Sequence, residues 1–241
     1  IELSIDEFGE NILAIYGMGS LGYGGYVEGW SDLDIDIILK NENVDGAVNI
    51  EQNLHNIGHT NIDVKSYTLQ SVCQSSQVFD HGIVNRKIML INNAVLIYGK
   101  SISDEIECPT SKQILEESIY ISKWMYEKKD DWWLELPLDD TAAHMALPAR
   151  LLFTVHKGEV TNKQTALKFI LNKYNEEIDG DIWPWIMWSL SCRYLDSARS
   201  IPETSLKRAK LAAKDFMGWA LKKMEDIQKE QTYANRTEKT Y

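Results

Sequence analysis

Cysteine is scarce, with Cys73, Cys108 and Cys192 the only three in 241 residues. An odd number spread this far apart makes neither a disulfide framework nor the paired CxxC spacing of a metal site, so all three read as reduced thiols. Long apolar runs are also missing. None reaches the roughly 18 residues of a membrane span, which excludes a membrane-embedded protein. Basic charge is in deficit, with 25 Lys and Arg against 36 Asp and Glu and a formal net charge of −11. A field of that sign repels polyanions, so extended nucleic acid is not an expected partner, and it attracts small cations. Ile1 to Glu10 carries acidic residues and no basic region, unlike an export signal, and a cytoplasmic location is the expectation. Internal repeats and low-complexity segments are lacking.

What is present is the composition of a soluble globular protein, 44% hydrophobic and 25% charged. The chain exceeds the usual single-domain size of roughly 100–150 residues, so two domains are expected. The first half mixes strand-like runs with turn signals. Ile12 to Tyr16 is a short apolar run stopped by Gly17, and Leu33 to Leu39 and Ile62 to Tyr67 alternate in character. Ala94 to Tyr98, before Gly99, reads as a buried strand, and Val44 to Ile57 as a helix. Beyond the polar stretch Gly99 to Ser111 the period becomes helical. Ile114, Ile119, Ile121, Trp124 and Met125 fall near one stripe. Thr161-x-x-Gln164 reads as a capping box opening a helix through Tyr174. Asp181 is a candidate cap with Pro184 in the first turn of its helix, and Glu203 to Gln231 forms a long amphipathic helix. Seven of the eight tryptophans lie beyond residue 120. Most are expected in packing, with Trp132 or Trp133 the first candidates to line a pocket.

The stretch from Gly17 to Asp36 carries the chemistry. A strand enters the turn Gly17-Met18-Gly19-Ser20-Leu21-Gly22-Tyr23-Gly24-Gly25, and a second strand then begins with Asp32, Asp34 and Asp36. Glycines let backbone N–H groups approach a phosphate closely, and Ser20 can add a hydroxyl, although hairpins use such turns too. Alternation points the three aspartates to one face and Leu33, Ile35 and Ile37 to the other. Carboxylates this close repel unless solvent or a cation intervenes, and Mg²⁺ takes one or two carboxylates together with substrate phosphates. A solvated polar strand face is the bland alternative. Asp63, between Ile62 and Val64 on another strand candidate, would bring a third carboxylate if the two strands are neighbours. Such a triad could hold one or two metal ions and deprotonate an attacking hydroxyl.

Gly19-Ser20, a dozen-residue turn, Ser31-Asp32-x-Asp34 and the later strand carboxylate together resemble the signature of the DNA polymerase β nucleotidyltransferase superfamily, over roughly residues 11–100. A second segment, Ala149 to Ala166 with Arg150 and Lys163, resembles the helical carboxy-terminal domain of the aminoglycoside (3'')/(9) adenylyltransferases, which add AMP to streptomycin or spectinomycin. The resemblance implies that Asp32 and Asp34 bind the metal together with Asp63, that Asp63 is the catalytic base, and that Arg150 and Lys163 reach the ATP phosphates across an interdomain cleft. It also implies that Asp140 contacts a cationic acceptor. Read from the residues alone, Arg150 in an apolar helix needs an anionic partner, which a phosphate or an internal carboxylate satisfies equally. Lys163 sits in a first helical turn, where the dipole disfavours a cation. Asp140 could equally cap a helix. One departure concerns the acceptor: where the family carries phenylalanine-glycine-glutamate-tryptophan, this chain reads Phe79-Asp80-His81-Gly82-Ile83. The tryptophan that lines the drug site is absent. His81 becomes a candidate acceptor contact, or an exposed or structural histidine.

The expected architecture is therefore α/β plus all-α. A polymerase β-like nucleotidyltransferase domain with a mixed sheet and helices spans residues 1–108, and a helical bundle domain spans 109–241. The expected co-substrate is ATP with Mg²⁺, and the acceptor a small cation such as an aminoglycoside. A lincosamide, nucleoside or protein hydroxyl as acceptor, or a non-catalytic nucleotide-binding regulator, are the rival readings.

Overall fold

Two alternating runs and two apolar runs form a single four-stranded sheet, and most of the other described residues are helical. The computed structural model describes residues 1–241 apart from 29, 43–45, 57, 59–60, 75–81, 193–194 and 239–241. The chain divides into two compact units, Ile1–Thr110 and Ser111–Tyr241.

The first unit contains strands β1 (Ile12–Gly17), β2 (Leu33–Leu39), β3 (Ile62–Thr68) and β4 (Val95–Gly99) in the order β3-β2-β1-β4. Its helices are α1 (Glu2–Phe8), the short α2 (Gly19–Gly22), α3 (Gly46–Asn56), α4 (Leu69–Gln74) and α5 (Ile83–Asn92). β1 runs antiparallel to both neighbours, while β2 and β3 are parallel. A parallel pair cannot be closed by a tight turn, and α3 is the helix in the crossover between them. One face of the sheet packs Ile15, Ile37 and Val64 against Phe8 of α1 and Ala47 and Ile50 of α3. Burying an Ile such as Ile37, which is wholly inaccessible, contributes about 1.5–3 kcal/mol. Because side chains alternate across a strand, that face sends Asp34 and Asp36 to the other side.

β4 departs from expectation. Its apolar run reads as buried, yet Val95, Leu96, Ile97 and Tyr98 are 37–44% exposed. The reason is topological: β4 is the outermost strand and pairs only with β1, so its second edge has no neighbour in the sheet. An apolar run is compatible with burial but does not by itself supply the second neighbouring strand.

The second unit is helical, comprising α6 (Ser111–Tyr126), α7 (Asp130–Glu135), α8 (Leu138–Lys157), α9 (Lys163–Tyr174), α10 (Trp183–Cys192), α11 (Asp196–Arg199) and α12 (Glu203–Glu238). Met145, Ala149 and Leu152 of α8 and Phe216, Met217 and Ala220 of α12 share one core with Leu167 and Ile170 of α9. The α6 stripe is buried at Ile114 and Met125, but Trp124 turns outward with Lys128 Nζ 4.0 Å from its ring centroid. The cap of α9 is Asn162 rather than Thr161, its Oδ1 accepting from Thr165 N at 2.8 Å. The helix thus starts one residue later than a Thr161 capping box would place it. No described helix is long and apolar enough to cross a membrane.

Candidate functional site

The glycine-rich turn and the β2 carboxylates meet because β1 and β2 are neighbours. Gly17, the last residue of β1, pairs with Ile35, so the chain turns beside Asp34, and Met18 N donates to Asp34 O at 2.8 Å. Gly19 follows with φ +53°, and a Cβ built there would fall into the Asp34 carboxylate. Two independent demands, a left-handed backbone and closest approach, therefore require glycine at this position. Ser20 comes next, its Oγ buried without a hydrogen-bond partner among the described residues. A buried hydroxyl left unsatisfied is costly, and in a glycine turn it suits an anionic ligand oxygen.

The parallel register places Asp34 opposite Asp63 and Asp36 opposite Lys65, all on the face away from the α1/α3 core. Burial, and next the neighbouring Asp63 charge, push the Asp34 carboxyl above its ordinary value; the Lys65 charge opposes this, and Asp32 and Asp36 add smaller contributions. Asp36 is 2% exposed and ion-paired with Arg86 of α5, whose guanidinium lies 4.5 Å from the Tyr67 ring centroid. Burial alone would lower the Arg86 pKa, but the Asp36 charge and hydrogen bond outweigh it and raise it. Asp63 forms an ion pair with Lys65 on its own strand, both side chains more than 40% exposed. Asp32, one residue ahead of the strand, is exposed.

Of the three carboxylates expected around one ion, the sheet brings Asp34 and Asp63 together and leaves Asp32 outside the ladder. Among the described residues no group of three or more His, Cys, Asp or Glu side chains is arranged to hold a metal ion. Asp32 precedes the first paired residue, Leu33, and Lys65 claims Asp63. The facing pair still fits a Mg²⁺ ion, which takes only one or two carboxylates and fills its shell with phosphate and water oxygens.

The other expected residues lie in the second unit, except His81. That histidine falls outside the described residues together with Phe79 and Asp80. Arg150 is half-buried on α8 between the fully packed Ala149 and Leu151. Lys163 is the first residue of α9. Asp140 is exposed within the first turn of α8 rather than capping it, since the cap position is Pro137. His144, one turn on, brings Nδ1 to 2.7 Å from Asp140 O and stacks edge-on with Trp132 at 5.6 Å and Trp133 at 5.9 Å between centroids. Trp133 is wholly buried, which makes it core and leaves half-buried Trp132 as the ring a ligand could touch. Three residues here escape a reading from sequence: Arg86, His144 and Lys65. His144 at i+4 from Asp140 and Lys65 at i+2 from Asp63 carry a spacing signal, whereas Arg86 is 50 residues from its partner and carries none.

The first unit is thus a mixed sheet carrying a glycine-serine turn and facing strand carboxylates, and the second unit is helical. Among solved structures the chain is similar to spectinomycin adenyltransferase AAD(9) from Enterococcus faecialis, solved with ATP and spectinomycin. The TM-score is 0.68 at 15% identity, covering 92% of this chain and 96% of that one. By sequence, no family and no curated protein matches. At 15% identity the likeness establishes the fold.

Proposed function

We propose that this chain is a Mg²⁺-dependent adenylyltransferase that moves AMP from ATP to a hydroxyl of a small cationic acceptor of the aminoglycoside type. The observation that carries the reading is the junction of Gly19, Ser20, Asp34 and Asp63, on a fold shared with a protein solved with ATP and spectinomycin. In this reading the Gly19-Ser20 turn receives the triphosphate, and Arg150 and Lys163 are its further phosphate contacts. Asp32, Asp34 and Asp63 are the residues that would hold Mg²⁺, which when bound neutralises charge developing on the phosphate oxygens. Asp63 accepts the proton of the acceptor hydroxyl as its oxygen bonds to the α-phosphorus. The bond from that phosphorus to the bridging oxygen then breaks, and pyrophosphate leaves. Asp140 and Trp132 are proposed as acceptor contacts, a carboxylate and an indole face both suiting an ammonium group. His81 remains a proposed contact by its place in the sequence alone.

The acidic balance of the chain favours a cation over a nucleic acid as acceptor. A second reading, a nucleotide-binding regulator without turnover, draws on two observations: Asp63 is occupied by Lys65, and no three-ligand metal group is gathered among the described residues. Pyrophosphate release with ATP and Mg²⁺, screened against aminoglycosides, spectinomycin, a lincosamide and neutral hydroxyl compounds, separates the two. Release with cationic amino sugars alone is the expected outcome. ATP binding without release under every acceptor supports the regulator and contradicts transfer.

A further inference from the structure

The chain supplies its own cation to two of the three strand carboxylates, Asp34, Asp36 and Asp63, on the face away from the α1/α3 core, and the two cations differ in how firmly they are held. Arg86 and Asp36 are 19% and 2% exposed and are braced by the Tyr67 ring. Lys65 and Asp63 are 46% and 41% exposed. Asp34, facing Asp63 across the register, makes no ion pair among the described residues and lies against the Gly19 turn. Lys65 reaches Asp63 because residues two apart on a strand share a face. Its ammonium therefore sits on one member of the facing carboxylate pair. An ammonium on Asp63 Oδ2 and a divalent ion on the same carboxylate repel each other, so the two cations compete for Asp63.

We propose that Lys65 is a resident counter-ion of the site, which holds Asp63 in the metal-free protein and is displaced from it when a divalent cation binds the Asp34/Asp63 pair. The inference rests on the nucleotidyltransferase reading above and adds a regulation to it. Asp63 thus carries the lysine until the ion arrives, and the ion takes its place. Exposed pairs are weak, so the exchange is easy. An ion pair this exposed corresponds to about a two- to fivefold effect on an equilibrium constant. The buried Arg86–Asp36 pair takes no part.

The test is a titration of the full chain with Mn²⁺ alone, reading free Mn²⁺ by electron paramagnetic resonance, for the wild type, Lys65→Met and Lys65→Arg. Lys65→Met is expected to bind Mn²⁺ about two- to fivefold more tightly, and Lys65→Arg, which keeps the charge, to return close to the wild-type affinity. Lys65→Gln serves as a second neutral variant if Met disturbs the fold. Equal or weaker binding by the neutral variants overturns the inference while leaving the metal site standing. Failure of every protein to bind Mn²⁺ overturns the metal site itself, and the inference with it.

Discussion

At the Asp36 end of β2 a carboxylate and a guanidinium are buried together beneath α5, while at the Asp34 end, one pleat away, the carboxylates face Asp63 and an exposed lysine. The same residue type on the same face of the same strand thus has two roles, and burial with its partner decides which. A charge removed from water must keep its counter-ion, so the Asp36–Arg86 pair is fixed structure. A charge at the rim is not sealed with its counter-ion, which is what the role proposed for Asp63 requires. The pair that cannot be opened ties α5 to β2, and the adjoining site is built on that support.

The sharpest break in this comparison is Arg86→Leu, which leaves Asp36 buried without its cation. Unfolding in urea should show a loss of about 3–5 kcal/mol. The double variant Arg86→Leu/Asp36→Leu should recover most of it, because two apolar groups restore a matched interior. A single variant as stable as the wild type would mean the pair is not sealed. The next effect is smaller. Gly19→Ala must adopt a positive φ and push the Asp34 carboxylate aside, at about 1–3 kcal/mol by thermal denaturation, and calorimetry should show weakened ATP binding. Unchanged ATP affinity would separate the turn from the nucleotide.

The smallest change runs the other way. Asp34→Asn removes a half-buried charge that faces Asp63, and should stabilise the fold by about 1 kcal/mol at neutral pH, roughly 2–4 °C in Tm, while weakening Mn²⁺ binding. The sign follows from its pKa. Asp34 titrates above its ordinary value in the folded protein, so the fold holds its proton more tightly than the unfolded chain does. Wild-type stability from this residue is then greatest below the ordinary carboxylate range. It falls as pH rises to the raised value, and the advantage of Asp34→Asn disappears in acid. A variant advantage that persists at low pH would show that charge is not its cause.

Much of this was legible in the sequence because it is local. Alternation marks β2 and β3 and puts Asp34 and Asp63 opposite the apolar side, and Gly17 and Gly19 mark the turn between β1 and β2. The helical period beyond residue 111 announces the second unit. What stayed hidden depends on neighbours distant in the chain. The exposure of β4 follows from its place at the edge of the strand order, and a run of Val, Leu, Ile and Tyr carries no sign of that. The burial of Asp36 depends on Arg86, 50 residues away on a helix the strand pattern does not announce. Asp32 shares its spacing with Asp34, yet only the residue inside the ladder is held in register.

The central claim, that Asp63 takes a proton during AMP transfer, is tested most directly by comparing the wild type with Asp63→Asn. The measurement is mass spectrometry of an aminoglycoside or spectinomycin acceptor incubated with ATP and Mg²⁺, beside an ATP-binding isotherm. The account predicts an acceptor heavier by one adenylyl group with the wild type. It predicts at least a ~100-fold slower gain with Asp63→Asn, at little change in ATP affinity. Transfer by Asp63→Asn at the wild-type rate would contradict it.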